Sequence, residues 1–449
     1  MGQATGSAWR WTQLLAALTV TALVAACGED EIILPGERLD VRAPLDPEAE
    51  VPEPADRTPR EVALSLPSQV NHQSWSHTNG SVQHRIQHPA LGTNPQRIWS
   101  ADIGAGSDRK RRITATPVAA DGRIFTLDAL ARVSAVSTSG AVLWTRDLTP
   151  PREQSEEASG GGLAVVDGTL YVTSAFGFLT AFDAATGDIR WQQKLDAAAT
   201  APPTVSGGIA YLVGRDSVAW AIDTRNGRVL WSLPGTPSGT GYVGGGAPAL
   251  TDRLAILPFP SAEITGVLRQ SGIGVWGGAV SGQRLGRAYA AFSDITGDPV
   301  IVGNTIYAGN ASGRTAAINA ANGDRIWTAD EGATSPVWPV GNTLFLVSDL
   351  NELVRLDSRT GEVVWAVPLP KFVDEKVRRR KSIYAHYGPV LAGGRLWVAS
   401  NDEVLRGFSP SSGALTAQIE LPGGAASAPI VVNQTLYVVS QDGELHAYR

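Results

Sequence analysis

Ala181-Phe182-Asp183-Ala184-Ala185-Thr186-Gly187-Asp188-Ile189-Arg190-Trp191 decides the fold, because the phrase does not occur only once. It returns as Ala221-Ile222-Asp223 to Gly227 and Trp231, as Ala317-Ile318-Asn319 to Gly323 and Trp327, and as Leu356-Asp357 to Gly361 and Trp365. Followed outward, the tryptophan position is Trp99, Trp144, Trp191, Trp231, Trp276, Trp327, Trp365 and finally Ala417, at intervals of 38 to 52 residues. A recurring period of this length marks a solenoid, a propeller or an array. Unrelated hairpins would not repeat the whole phrase.

Each unit holds four short apolar runs. In the first they are Ile113 to Ala119, Ile124 to Leu127, Val133 to Ser137 and Val142 to Asp147, parted by Asp121-Gly122, a loop and Ser139-Gly140. Four antiparallel strands per repeat make one propeller blade. A flat Trp on the outer strand can wedge against the next blade, and the small Ala at 135, 181, 221 or 317 leaves room for it. Blade four departs from the phrase with Gly266-Val267-Leu268, blade one has Ala135-Val136-Ser137 without the acid, and blade seven has Gly407-Phe408-Ser409 and loses its Trp.

The last unit stops at Arg449 with no outer strand, while Arg97-Ile98-Trp99-Ser100 is an outer strand with no blade in front of it. Joining the two removes the open sheet edges. The sequence therefore predicts an all-β fold, an eight-bladed β-propeller of four-stranded antiparallel blades closed by an N-terminal strand.

Ahead of the propeller, residues 1–26 read as a lipoprotein signal peptide: Arg10 is its basic part, Leu14 to Leu23 its apolar stretch and Val24-Ala25-Ala26-Cys27 its processing site. Cys27, the expected lipidation site, is the one cysteine in the chain, which excludes an internal disulfide. Residues 27–70 are rich in acid and proline and are expected to be a tether, on which Ile32-Ile33-Leu34-Pro35 forms an apolar patch. Residues 71–96 form a strap containing His72, His77, His84 and His88. His84 and His88 have a spacing that would suit a metal on a helix, but no cysteine or carboxylate joins them, so the strap is expected to hydrogen-bond along the propeller at 97–449.

A net charge of −6 argues against a nucleic-acid partner. The basic runs Arg109 to Arg112 and Arg378 to Lys381 each fall in a loop leading from an outer strand to the next inner one, on one face of the ring. Gly160 to Gly162 and Gly244 to Gly246 open no helix and precede no Lys-Ser or Lys-Thr, so they are not phosphate cradles. No catalytic constellation, metal site or cofactor is expected.

The repeated phrase resembles that of quinoprotein (PQQ) dehydrogenases and their non-enzymatic relatives. A periplasmic PQQ-dependent dehydrogenase is the alternative reading, but the alcohol-oxidising members carry a vicinal cysteine pair that this chain lacks. Lipobox, tether and an eight-bladed ring together resemble the BamB family of outer-membrane β-barrel assembly lipoproteins. Leu34-Pro35-Gly36-Glu37-Arg38, Ser74-Trp75, His88-Pro89-Ala90-Leu91 and Leu391 to Ser400 look like its α-proteobacterial branch. The resemblance implies a non-catalytic scaffold on the periplasmic face of the outer membrane, lipid-anchored, that binds the POTRA domains of BamA and assists unfolded outer-membrane proteins. It implies contact residues at Tyr242, Val243 and Gly244 in one loop and Asp294 and Ile295 in another, with Tyr242 and Asp294 exposed between glycines. Tyr242 and Val243 stand where enterobacterial members have Leu and Arg, and Thr296 replaces a second acid.

Overall fold

A computed structural model of the chain describes residues 57–239, 244–282, 284 and 294–449. Cys27, the apolar patch at 32–35, Tyr242 and Val243 lie outside the described residues. Eight four-stranded antiparallel sheets follow one another along the chain as blades one to eight. The eighth is formed by Ile430–Val432, Thr435–Val439 and Glu444–Tyr448, with Arg97–Asp102 as its outer strand. Trp99 lies opposite Ala447, and Gln96 and Arg449 exchange backbone hydrogen bonds in both directions, so the N-terminal strand closes the ring.

The repeat phrase builds one register row per blade: aromatic on the second strand, small residue on the third, Trp on the fourth. Tyr171, Ala181 and Trp191 form such a row, as do Tyr211, Ala221 and Trp231. Each Trp stands on its blade's outer strand and faces the following blade. Trp144 Nε1 donates to the Ala184 carbonyl at 3.2 Å, and a Cβ on Gly187, whose φ is +74°, would lie 2.6 Å from the Trp144 ring. Only glycine satisfies both the left-handed turn and that approach.

Three blades modify the row, blade four by placing Ile256 where the aromatic stands. In blade seven it reads Trp397, Gly407, Ala417, so the large ring missing from the outer strand is supplied two strands further in. In blade six Arg355 stands in place of the small residue, fully buried. Its guanidinium donates to Thr343 Oγ1 and to the Ser411 and Val62 carbonyls, so a buried cation is satisfied and the segment before the strap is held.

The innermost strand of blade one is shorter than its apolar run. In blade one the strand is Val118–Ala120, where the sequence predicted Ile113 to Ala119. Ile113 instead gives its amide to Ser107 Oγ, and the residues up to Pro117 form the loop into the blade. Turns between strands one and two and between three and four lie on one face of the ring, the turn face. The remaining connections, including every blade-to-blade loop, lie on the other, the loop face.

Candidate partner-binding surface

Innermost strands of a propeller present unpaired amides to the axis, and a buried unpaired amide is costly. The strap meets them in succession. Trp75 pairs with Ala119 in both directions, Val165 donates to the Ser76 carbonyl, and Val205 donates to His77 Nε2. Leu250 donates to the Val82 carbonyl and Ile301 to that of Gln83. These five amides hold one register position in blades one to five, each opposite the second residue of the next strand. In blade six that position is Pro339, which has no amide to satisfy. Blade eight is reached through Asn433 and the His72 carbonyl, and blade seven through Gly393 and Gly394, which donate to the Pro89 carbonyl and His88 Nε2.

The strap thus hydrogen-bonds along the propeller, and it sends His84 and His88 to different blades. No helix places them together: His84 Nδ1 donates to the Pro299 carbonyl in blade five, while His88 serves blade seven. Burial pushes His84 down to about 3 and His77 to about 4, so both rings are neutral near pH 7. Trp75, backbone-bonded to blade one, stacks on Trp338 of blade six with ring centroids 6.2 Å apart and fills the axis at the turn face. Upstream, Arg60 donates to the Val364 carbonyl and Arg57 pairs with Glu331 and Glu352, so residues assigned to the tether already lie on blade six.

With the turn face closed, the cavity of about 520 Å³ on the loop face is the opening toward the axis. Gly244 from the loop after blade three and Asp294 and Ile295 at the start of blade five line it together. Their two segments are also bonded to each other, since the Ala247 amide donates to Asp298 Oδ1 at 3.0 Å. Asp298 is buried and is pushed up to about 7, first by desolvation and then by the charge of Asp294.

Asp294 was expected to be exposed; it is 2% exposed. Ser-Asp-Ile-Thr-Gly-Asp reads locally as a turn, but Ile295–Val302 is an eight-residue innermost strand that draws the acid into the cavity wall. Arg112 and Tyr387 complete the opposite wall.

Both basic runs lie on this face. Arg111 is paired with Asp108, while Arg112 exchanges backbone hydrogen bonds with Ser159 Oγ and reaches the cavity. The loop from blade six to blade seven projects as a narrow finger carrying exposed Val373, Val377 and Ile383. The sequence reading missed these apolar positions; the signal was their interleaving with the basic run in a seventeen-residue connection. The ion cluster of Arg57, Arg284, Glu331 and Asp349 was also missed, because its members are far apart in sequence.

The family model described as outer membrane protein assembly factor BamB matches residues 129–367 and 376–449. The BamB of Moranella endobia is 23% identical over 362 residues, covering 79% of this chain and 90% of that one. The crystal structure of BamB from Moraxella catarrhalis superposes with a TM-score of 0.65 at 19% identity, covering 79% of this chain and 99% of that one. A quinohemoprotein alcohol dehydrogenase from Comamonas testosteroni superposes with a TM-score of 0.62 at 15% identity, covering 84% and 80%, a likeness of fold alone. The match to the model over more than half its length places this chain in the BamB family of outer membrane protein assembly factors, a non-catalytic branch of the PQQ-like propellers.

Proposed function

We propose that this chain is a lipid-anchored scaffold of the outer-membrane β-barrel assembly machinery, held at the periplasmic face through Cys27. Its loop face around blades three to five meets the POTRA domains of BamA and so assists insertion of outer-membrane proteins. The supporting observation is that Gly244, Asp294 and Ile295, from two loops about fifty residues apart, line one cavity, with their segments joined through Ala247 and Asp298. A wall built this way presents its outer loops on a rigid base, as a recognition surface requires.

The burial of Asp294 divides the labour. Its carboxylate shapes the wall, and Tyr242 and Val243 are assigned the direct contact. Tyr242→Ala with Val243→Asp should weaken binding to the periplasmic part of BamA by about 2 kcal/mol or more, close to thirtyfold in Kd, with an unchanged Tm. Unchanged affinity would move the contact to another sector of the face. Cys27→Ala should give a soluble or an uncleaved form without lipid, and an unmodified N-terminus on wild-type protein found in the soluble periplasm would end the anchor reading.

A further inference from the structure

We propose that the finger from blade six to blade seven, Leu369 to Ala385, is a second membrane attachment that reads an anionic phospholipid surface. Its stem is ordered by backbone pairing: Phe372 bridges Ile383, Val373 donates to the Ser382 carbonyl and Tyr384 to that of Lys371. A single 3₁₀ turn, Val377–Arg379, makes the tip. Six basic side chains lie on this finger against two acidic ones. Arg379 and Arg380 are paired with Asp374 and Glu375 at 3.6 and 3.4 Å, whereas Lys376, Arg378 and Lys381 make no ion pair among the described residues.

Apolar exposure separates this finger from an ordinary solvated charge run. Val377 is 78% exposed, with Ile383 at 55% and Val373 at 53%. The other strongly exposed apolar side chains among the described residues stand on outer strands or directly before one, where the repeat places them. An acidic protein surface would account for the cations alone. An apolar apex inside a cationic collar suits an interface at which the valines enter below the headgroups and the guanidinium groups stay at the phosphates.

Position supports the same occupant. The finger's base is fastened by Lys371 to the Leu350 carbonyl and by Asn351 to the Tyr384 carbonyl. The next residue, Glu352, holds Arg57, from which the chain leads back to Cys27 thirty residues upstream. The finger's base thus lies beside Arg57, the first described residue of the segment that leads back to the anchor. Thirty residues span at most about 100 Å, which keeps the finger near any membrane the anchor enters. The inference does not depend on the contact with BamA.

The test is flotation of the mature chain, residues 27–449 with Cys27→Ala so that it carries neither signal peptide nor lipid, with vesicles of phosphatidylcholine, alone or with phosphatidylglycerol, and with polyglutamate as a competing acidic chain. The bound fraction should be about tenfold higher on the anionic vesicles and fall with added salt. Arg378→Glu with Arg379→Glu and Lys381→Glu should bring it down to the neutral-vesicle level. Val377→Ser, at a site too exposed to matter for folding, should lower anionic binding about threefold with Tm unchanged. Equal binding to both vesicle types, or an unaltered triple variant, overturns the proposal. So does polyglutamate binding that matches vesicle binding and is indifferent to Val377→Ser, which would make the finger a site for acidic polypeptide.

Discussion

Replacing Trp75 by alanine asks whether the strap is part of the folded core or merely rests on it. The side chain is 1% exposed and stacks on Trp338 across the axis. A buried tryptophan hides about 200 Å² of surface, worth about 5 kcal/mol at ~25 cal/mol per Å². Alanine retains a fraction of that, and loss of the ring pair removes about 1 kcal/mol more. No hydrogen bond is lost, because Trp75 Nε1 has no partner among the described residues and the pairing with Ala119 is backbone to backbone. The expected cost is about 4 kcal/mol, within the range for large-to-small changes in a core. Over the roughly 380 described residues, an unfolding entropy of about 2.1 cal/mol/K per residue converts this to a fall in Tm of about 5 °C. Thermal melting measures the total, and amide hydrogen exchange locates it: Val165, Val205, Leu250 and Ile301 should lose protection while the middle strands of their blades keep it. A Tm shift below about 1 °C with those four amides unchanged would refute the strap as a structural plug.

Two further outcomes follow from the ring and the cavity wall. Deleting Arg97–Asp102 uncovers the edge of Glu444–Tyr448 and removes Trp99, so melting should fall by more than about 10 °C with self-association visible by light scattering; a monomer melting like the parent would refute closure by this strand. Asp298 keeps its proton to about 7 in the folded state, above its unfolded value, so its contribution erodes stability as pH rises from about 4 to about 7 and is constant beyond. Asp298→Asn retains an oxygen for the Ala247 amide and should gain on the parent across that window, by at most about 4 kcal/mol at 1.36 kcal/mol per pH unit, in denaturant titrations at pH 4 and pH 8. A difference that is flat with pH would refute the assignment.

The ring was legible because its determinants are local. Gly187 and Trp191 lie four residues apart, and what each needs is set by the turn and by the strand beside it. Even the departures obey the row: the loss of Trp at Ala417 is answered by Trp397, visible in the sequence once the register is known. Innermost strands were read less well. Buried on both faces, Gly161–Val166 shows no alternation that would mark where pairing begins, and the same blindness turned Asp294 into an exposed turn residue. The strap's partners were beyond reading for another reason, since they are main-chain amides that carry no residue type. Yet Pro339 leaves a trace of them. Blades one to five place an amide-bearing residue at one register position and the strap supplies an acceptor for each, while blade six places a proline there. A proline would be costly where an amide had to be paired and costs nothing where the strap offers no acceptor. Two segments about 250 residues apart therefore agree on the path of the strap, through main-chain carbonyls in blades one, two, four and five and the His77 ring in blade three.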